Sequence, residues 1–263
     1  MKSVVVIPTC KRPELLALCL LRLSGAPGCP EVHIYADTAA NLDDVSYVRD
    51  EYFPTASIFH ARPHPAVFSG CWNILNSIAS GARFADDVYL VEEDVMVYPN
   101  FFSWHESTKE AASCGRTTGK CGYYTNPGSL LRRPLLDALL PHINDQYFAD
   151  TEGYCARNFA HHYTSSLDDG LIRRVIAQKG LDWHNPVKAV CAHQGFYFYD
   201  KLDIYKNYGG DVEEKIGRFL EIEEQIKTKS DWRYKHYAQD FEPFSPGAAA
   251  KRASISITVS TPK

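Results

Sequence analysis

The chain has 263 residues, 45% of them hydrophobic and 23% charged, which is enough for one sizeable globular domain. Its 28 Lys and Arg against 32 Asp and Glu leave a net charge of −4, excluding a surface built broadly for polyanions but not local contact with nucleic acid. The eight cysteines (Cys10, Cys19, Cys29, Cys71, Cys114, Cys121, Cys155 and Cys191) form no CxxC pair, so neither a zinc site nor a redox motif is signalled, and they read as reduced core thiols.

At the N-terminus the apolar run from Val4 to Pro8 is broken by Lys11 and Arg12, too short for a signal segment. Nowhere do about 18 uncharged apolar residues run together, so no membrane insertion is expected, and a reducing, cytoplasmic location follows. Val4 to Ile7 is a β-branched run of the buried-strand kind, and Pro13 opens a helix with Leu15, Leu16, Cys19, Leu20 and Leu23 on one face. "EVHIYAD" reads as the next strand, ending at Asp37, "FSGCWNILNSIASGA" as a helix stopped by Gly81, and "DVYLV" as a third buried strand. Alternating strands and helices predict an α/β domain with a mostly parallel central sheet flanked by helices. Ligands of such sheets sit beyond the carboxyl ends of the strands, where the loop at 9–12, Asp37 and the triplet Glu92, Glu93 and Asp94 all fall.

The second half is less regular. "GKCGYYTNPGS" is turn-rich, "LLRRPLLDALLP" is helix-like, a helix begins near Asp168, and 211–228 suits an amphipathic surface helix. From Phe244 on there is little to bury, so 1–243 is expected to be the domain and 244–263 a mobile tail.

The triplet lies within "YLVEEDVMVYPNFFSW", between two apolar runs. Continued as a strand, it points Glu92 and Asp94 to one face and Glu93 to the other. Two carboxylates converging near apolar surroundings repel each other unless a cation intervenes, and a hard divalent ion such as Mn2+ or Mg2+ is the natural one. The plain alternative, a solvated acidic turn, fits poorly with the apolar segment that follows at once.

These residues resemble the metal motif of GT-A glycosyltransferases, closest to the N-acetylglucosaminyltransferase I type, in which an acidic triplet precedes an apolar pair, a Pro and aromatic residues. "VVVIPTCKRPELLALCLLRL" resembles the first strand, loop and helix of the same fold. The resemblance implies a single GT-A domain, with 1–100 as the nucleotide-sugar-binding half and 101–243 as the acceptor-binding half. It implies donor contacts from Pro8, Thr9 and Arg12, with Arg12 at the phosphates, and from Asp37 at the uracil end of a UDP-sugar. It makes Asp94 the direct metal ligand and sets Glu92 and Glu93 nearer the sugar and ribose. "SSLDDGLIRR" resembles the later acidic motif that supplies the catalytic base, with Asp169 in the base position and Asp168 or Ser166 capping the helix. "VCAHQGF" resembles the late histidine that completes the metal shell, here His193.

The implied activity is a metal-dependent, inverting hexosyl- or N-acetylhexosaminyltransferase. Its acceptor is a glycan, a lipid-linked sugar or a hydroxylated base of modified DNA. Phe196, Tyr197, Phe198 and Tyr199, with Trp72, Trp104, Arg157, His161 and His162, are acceptor-side candidates or ordinary packing groups. Two other readings stand beside this one. A nucleotidyltransferase would also use paired acids and a cation, but "PTCKRPE" lacks the glycines of a phosphate-cradling loop. A catalytically inactive nucleotide-sugar-binding module would lack a late acid or histidine.

Overall fold

Val4, Val5, Val6 and Ile7 in β1 (Ser3–Thr9) have no exposed surface, so this strand is covered on both faces, as stiff β-branched side chains allow. Val5 and Ile7 face one apolar cluster and Val4 and Val6 the other. The computed structural model describes residues 2–60, 69–116, 124–161, 163, 165–193 and 210–228.

β1 pairs in parallel with β2 (Glu31–Ala36) and β4 (Asp87–Leu90), and β2 pairs in parallel with β3 (Ser57–His60). Beyond β4 lie β7 (Ser129–Leu131), β6 (Ala112–Cys114) and β8 (Trp183–His184), giving the order β3-β2-β1-β4-β7-β6-β8. Only β7 runs against its neighbours, antiparallel to both β4 and β6. A separate antiparallel pair joins β5 (Val95–Val97) to β9 (Cys191–His193), with Val95 opposite His193.

On one face of the sheet lies α1 (Pro13–Gly25), whose Pro13 starts the helix without needing a backbone donor. It packs on α2 (Leu42–Tyr52), on β5 and on α9 (Val212–Thr228). On the other face lie α3 (Ser69–Gly81), α5 (Arg133–Leu139) and α8 (Asp168–Lys179), with the short helices α6 (Asp145–Ala149) and α7 (Thr151–Asn158), while the short α4 (Phe101–Ser107) packs Phe101 and Phe102 on the α1 side. Gly81 ends α3 as expected, and it also permits close packing: a Cβ there would sit 2.7 Å from Val6 Cγ1. Gly180, at φ +61, closes α8 in the left-handed conformation that glycine adopts without strain.

The expected elements are present, and α2 and β3 are additional. β3 is a half-exposed edge strand, which blurs its sequence pattern. The seven described cysteines are free thiols. Among the described residues no helix is long and apolar enough to cross a membrane. The tail at 244–263 lies outside the described residues.

Candidate metal and nucleotide site

Because β1, β2 and β4 are parallel, Thr9, Asp37 and Val91 emerge together at one sheet edge. The Asp37 backbone N–H donates to the Thr9 carbonyl at 2.8 Å, and the Asp37 carboxylate accepts from the Ala39 N–H at 2.9 Å. Asn73 of α3 donates to the carbonyls of Thr9 at 3.2 Å and Tyr35 at 2.9 Å, tying the helix to the ends of two strands. A cavity of about 220 Å³ opens here, lined by Pro8, Thr9 and Arg12, by Asp37 and Asn73, and by Glu92 and Glu93.

The acidic triplet is not a continuation of β4. The strand ends at Leu90, and a turn follows in which the Val95 N–H donates to the Glu92 carbonyl at 2.9 Å. The turn still divides the acids as strand alternation would. Glu93 points to the first loop, accepting from the Thr9 hydroxyl, from the Cys10 N–H at 2.9 Å and from Arg12 Nε at 2.6 Å. Glu92 and Asp94 turn instead toward His193, and one ligand atom of each of the three lies within 4.8 Å of the others. The pairing of β5 with β9 delivers His193: its register sets the histidine opposite Val95, beside Asp94.

The two oxygens of Asp94 have different partners. Oδ2 accepts from Arg12 Nη1 at 2.9 Å. Oδ1 lies 3.2 Å from His193 Nε2 and is buried without a formed hydrogen bond. Two carboxylates and an imidazole facing one another in a buried setting are a donor set that fits a divalent cation. Burial and the neighbouring Asp94 charge raise the Glu92 carboxyl. Burial also pushes Asp94 upward, but His193 and Arg12 outweigh it and hold that carboxyl at about 2. His193 is raised, because Asp94 and Glu92 overcome the burial that disfavours its charge.

The structure adds to two expectations and corrects a third. Glu92, set by the resemblance nearer the sugar and ribose, groups with Asp94 and His193. Arg12, expected at the phosphates, is held by Glu93 and Asp94. At the start of α8, neither Asp168 nor Ser166 caps the helix: the N-cap is Leu167, with no side-chain cap bond. Adjacent helical residues point about 100° apart, and the inward direction goes to Asp168, which accepts from Asn126 Nδ2. Burial, then the Asp169 charge, pushes the Asp168 carboxyl up to about 6. Asp169 turns away and pairs with Arg173 at 2.8 Å, one turn along. The inward acid is thus Asp168.

Sequence reading did not single out Asn73, Asn126 or Arg116. A lone Asn within the apolar helix "CWNIL" was the available signal for Asn73, and the turn "TNPGS" that for Asn126. Among the acceptor-side candidates, Trp72 packs edge-on against Phe148 and Trp104 stacks on His184, and both are half-buried. Arg157 pairs with Asp150 at 3.3 Å, and His161 is exposed. His162 and Phe196 to Tyr199 lie outside the described residues.

No family model matches the chain, and no curated protein matches it. Among solved structures, the glycosyltransferase GlyE of Streptococcus pneumoniae TIGR4 aligns at 10% identity and TM-score 0.50, over 85% of this chain and 64% of that one. A candidate glucose-1-phosphate thymidylyltransferase from Bacillus anthracis, in complex with a sucrose, aligns at 10% identity and TM-score 0.50, over 81% of this chain and 99% of that one. The galactosyltransferase LgtC, in complex with donor and acceptor sugar analogs, aligns at 11% identity and TM-score 0.48, over 89% and 99%. At these identities the likeness is one of fold: a single α/β domain whose mostly parallel sheet is flanked by helices.

Proposed function

We propose that this protein is a metal-dependent glycosyltransferase that moves a sugar from a nucleotide-sugar to an acceptor hydroxyl. The observation that carries the proposal is the convergence of Glu92, Asp94 and His193, of which Glu92 lines a cavity bounded by the first loop and Asp37, with a separate half-buried acid, Asp168, on another element. In this reading Glu92, Asp94 and His193 hold Mn2+ or Mg2+, whose contribution is Lewis-acid stabilisation of charge developing on the departing diphosphate. Asp37 and Asn73 line the end of the cavity suited to the base. Glu93 holds Thr9, Cys10 and Arg12 in place, which fixes the loop against which the donor lies.

Asp168 is the group best placed to take the acceptor proton. Its carboxyl, raised to about 6, is ionised near neutral pH yet basic enough to accept a proton in the transition state. A base acting in one step gives inversion. UDP-sugars are favoured on the resemblance of Asp37 and Arg12 to the family's uracil and phosphate contacts, with Arg12 now acting through the loop. The transferred group is a hexose or an N-acetylhexosamine, and the acceptor is a glycan, a lipid-linked sugar or a hydroxylated base of modified DNA.

The fold is shared equally with the thymidylyltransferase, so a nucleotidyltransferase is the second reading. The glycine-free first loop and the separate Asp168 argue against it. A panel of nucleotide-sugars with and without Mn2+, run beside nucleoside triphosphates with sugar 1-phosphates, separates the two. Metal-dependent release of nucleoside diphosphate supports the first, and pyrophosphate release the second. Calorimetry with UDP, GDP, CDP and TDP in the presence of Mn2+ tests the base, and binding of GDP with UDP silent would overturn the UDP assignment.

A further inference from the structure

β6 runs parallel to β4, because each is antiparallel to β7, so its carboxyl end opens on the edge that carries the acidic turn. There the backbone of Gly115 lies against β9: its carbonyl accepts the Val190 N–H at 2.7 Å, and a Cβ at Gly115 would sit 2.8 Å from Cys191 Sγ. Arg116 therefore leaves the sheet beside the strand that ends in His193. It is half-buried, and its charge acts on His193.

Among the described residues, Arg12, Arg173 and Arg174 near this edge are committed. Arg12 pairs with Glu93 and Asp94, and Arg173 with Asp169 and the Tyr124 carbonyl. Arg174 donates to the carbonyls of Tyr163, Ser165 and Gly170, fixing the loop that enters α8. Among the described residues, the interaction seen for Arg116 is its charge acting on His193. A half-buried guanidinium gains from an anionic partner. Its planar fork matches the paired oxygens of a phosphoryl or carboxylate group.

We propose that Arg116 is an anion-binding residue of this site, taking a phosphoryl or carboxylate group presented beside His193. The anion belongs either to the donor's diphosphate or to an acidic acceptor. That choice of source rests on the glycosyltransferase reading; the anion site itself rests on the surroundings of Arg116.

The test compares the full chain with Arg116→Ala and Arg116→Lys by calorimetry, after thermal melts have shown each variant folded. The titrants are uridine, UDP with Mn2+, and inorganic phosphate added alone or over saturating UDP with Mn2+. If the diphosphate is the anion, Arg116→Ala weakens UDP binding about tenfold or more, as loss of a charge-assisted pair would, leaves uridine unchanged, and Arg116→Lys recovers part of the loss. If the anion is on the acceptor, UDP binding stays the same, while phosphate binds the wild type over UDP and is lost in Arg116→Ala. The proposal is overturned if both UDP and phosphate bind Arg116→Ala within about twofold of the wild type. Should the wild type bind no nucleotide at all, the glycosyltransferase reading fails, and phosphate alone still reports on Arg116.

Discussion

Replacing Asp168 with Asn separates the energetic burden of this carboxylate from its chemical use. Burial and Asp169 move its carboxyl from the ordinary 3.8 to about 6. At about 1.4 kcal/mol per pH unit this amounts to about 3 kcal/mol against the charged native form, an upper value because the side chain is partly exposed. Discounted for solvent screening, about 1–2 kcal/mol remains. The sign follows from the raised value: the native state binds the proton more tightly than the unfolded chain does. The protonated group therefore stabilises the fold fully below the unfolded value, and this contribution is lost as pH rises through about 6. Asn carries no charge and still offers Asn126 an oxygen. Asp168→Asn is thus expected to melt higher than the wild type near pH 8 in EDTA, by roughly 2–4 °C per kcal/mol, and to converge with it in acid. Transfer at the same pH should fall about 10²–10⁴-fold, the usual share of a general base, with donor affinity retained. Asp169→Asn removes only a half-buried pair one helical turn apart, of about 0.5–1 kcal/mol, and should keep most of its turnover. Melts and transfer rates of the two variants decide the matter: if Asp168→Asn melts no higher at alkaline pH, or if the two phenotypes are exchanged, Asp168 is not the inward acid of α8.

Asp94→Asn should abolish metal binding and transfer with the fold intact. If His193 is a ligand it must first lose a proton that Asp94 and Glu92 help it keep, so Mn2+ affinity should rise as pH climbs above the ordinary imidazole range; a flat calorimetric profile would count against His193 as a ligand. Asn126→Ala should lower kcat while leaving donor affinity unchanged, since it frees one oxygen of Asp168 without touching the cavity, and an unchanged kcat would show that Asn126 does not orient the base. Gly81→Ala should cost about 1–3 kcal/mol, because its methyl would sit 2.7 Å from Val6 Cγ1; an unchanged melt would mean that α3 can move away.

Local patterns carry the parallel half of the fold: β-branched runs for β1, β2 and β4, the proline that opens α1 and the glycine that ends α3. What such patterns do not carry is pairing. The antiparallel insertion of β7, at Ser129–Leu131, and the pairing of Val95 with His193 depend on contacts between segments far apart in sequence. The same limit governs the site. That Glu92 and Asp94 part from Glu93 follows from residue alternation and survives the turn. That Asp168 rather than Asp169 faces inward does not, because adjacent acids at a helix start are equivalent until tertiary packing chooses one. Asn126 makes that choice visible, and it comes from a turn whose sequence shows only turn chemistry.

The division of labour within the triplet explains why three acids in a row serve better than two. Asp94 gives Oδ2 to Arg12 and keeps Oδ1 toward His193, so a cation held by Glu92, Asp94 and His193 need not break the ion pair with Arg12. Arg12 in turn is shared with Glu93, which also receives the Thr9 hydroxyl and the Cys10 N–H. The first loop and the group Glu92, Asp94 and His193 are therefore linked through two carboxylates of one turn. On the proposed function, a change in the position of that turn would move a cation and the loop together and so keep a departing diphosphate and its counter-charge in register. The burial that raises Glu92 and Glu93 is the cost of this linkage, and a divalent ion, if bound, would offset it at Glu92, which pairs with no arginine among the described residues.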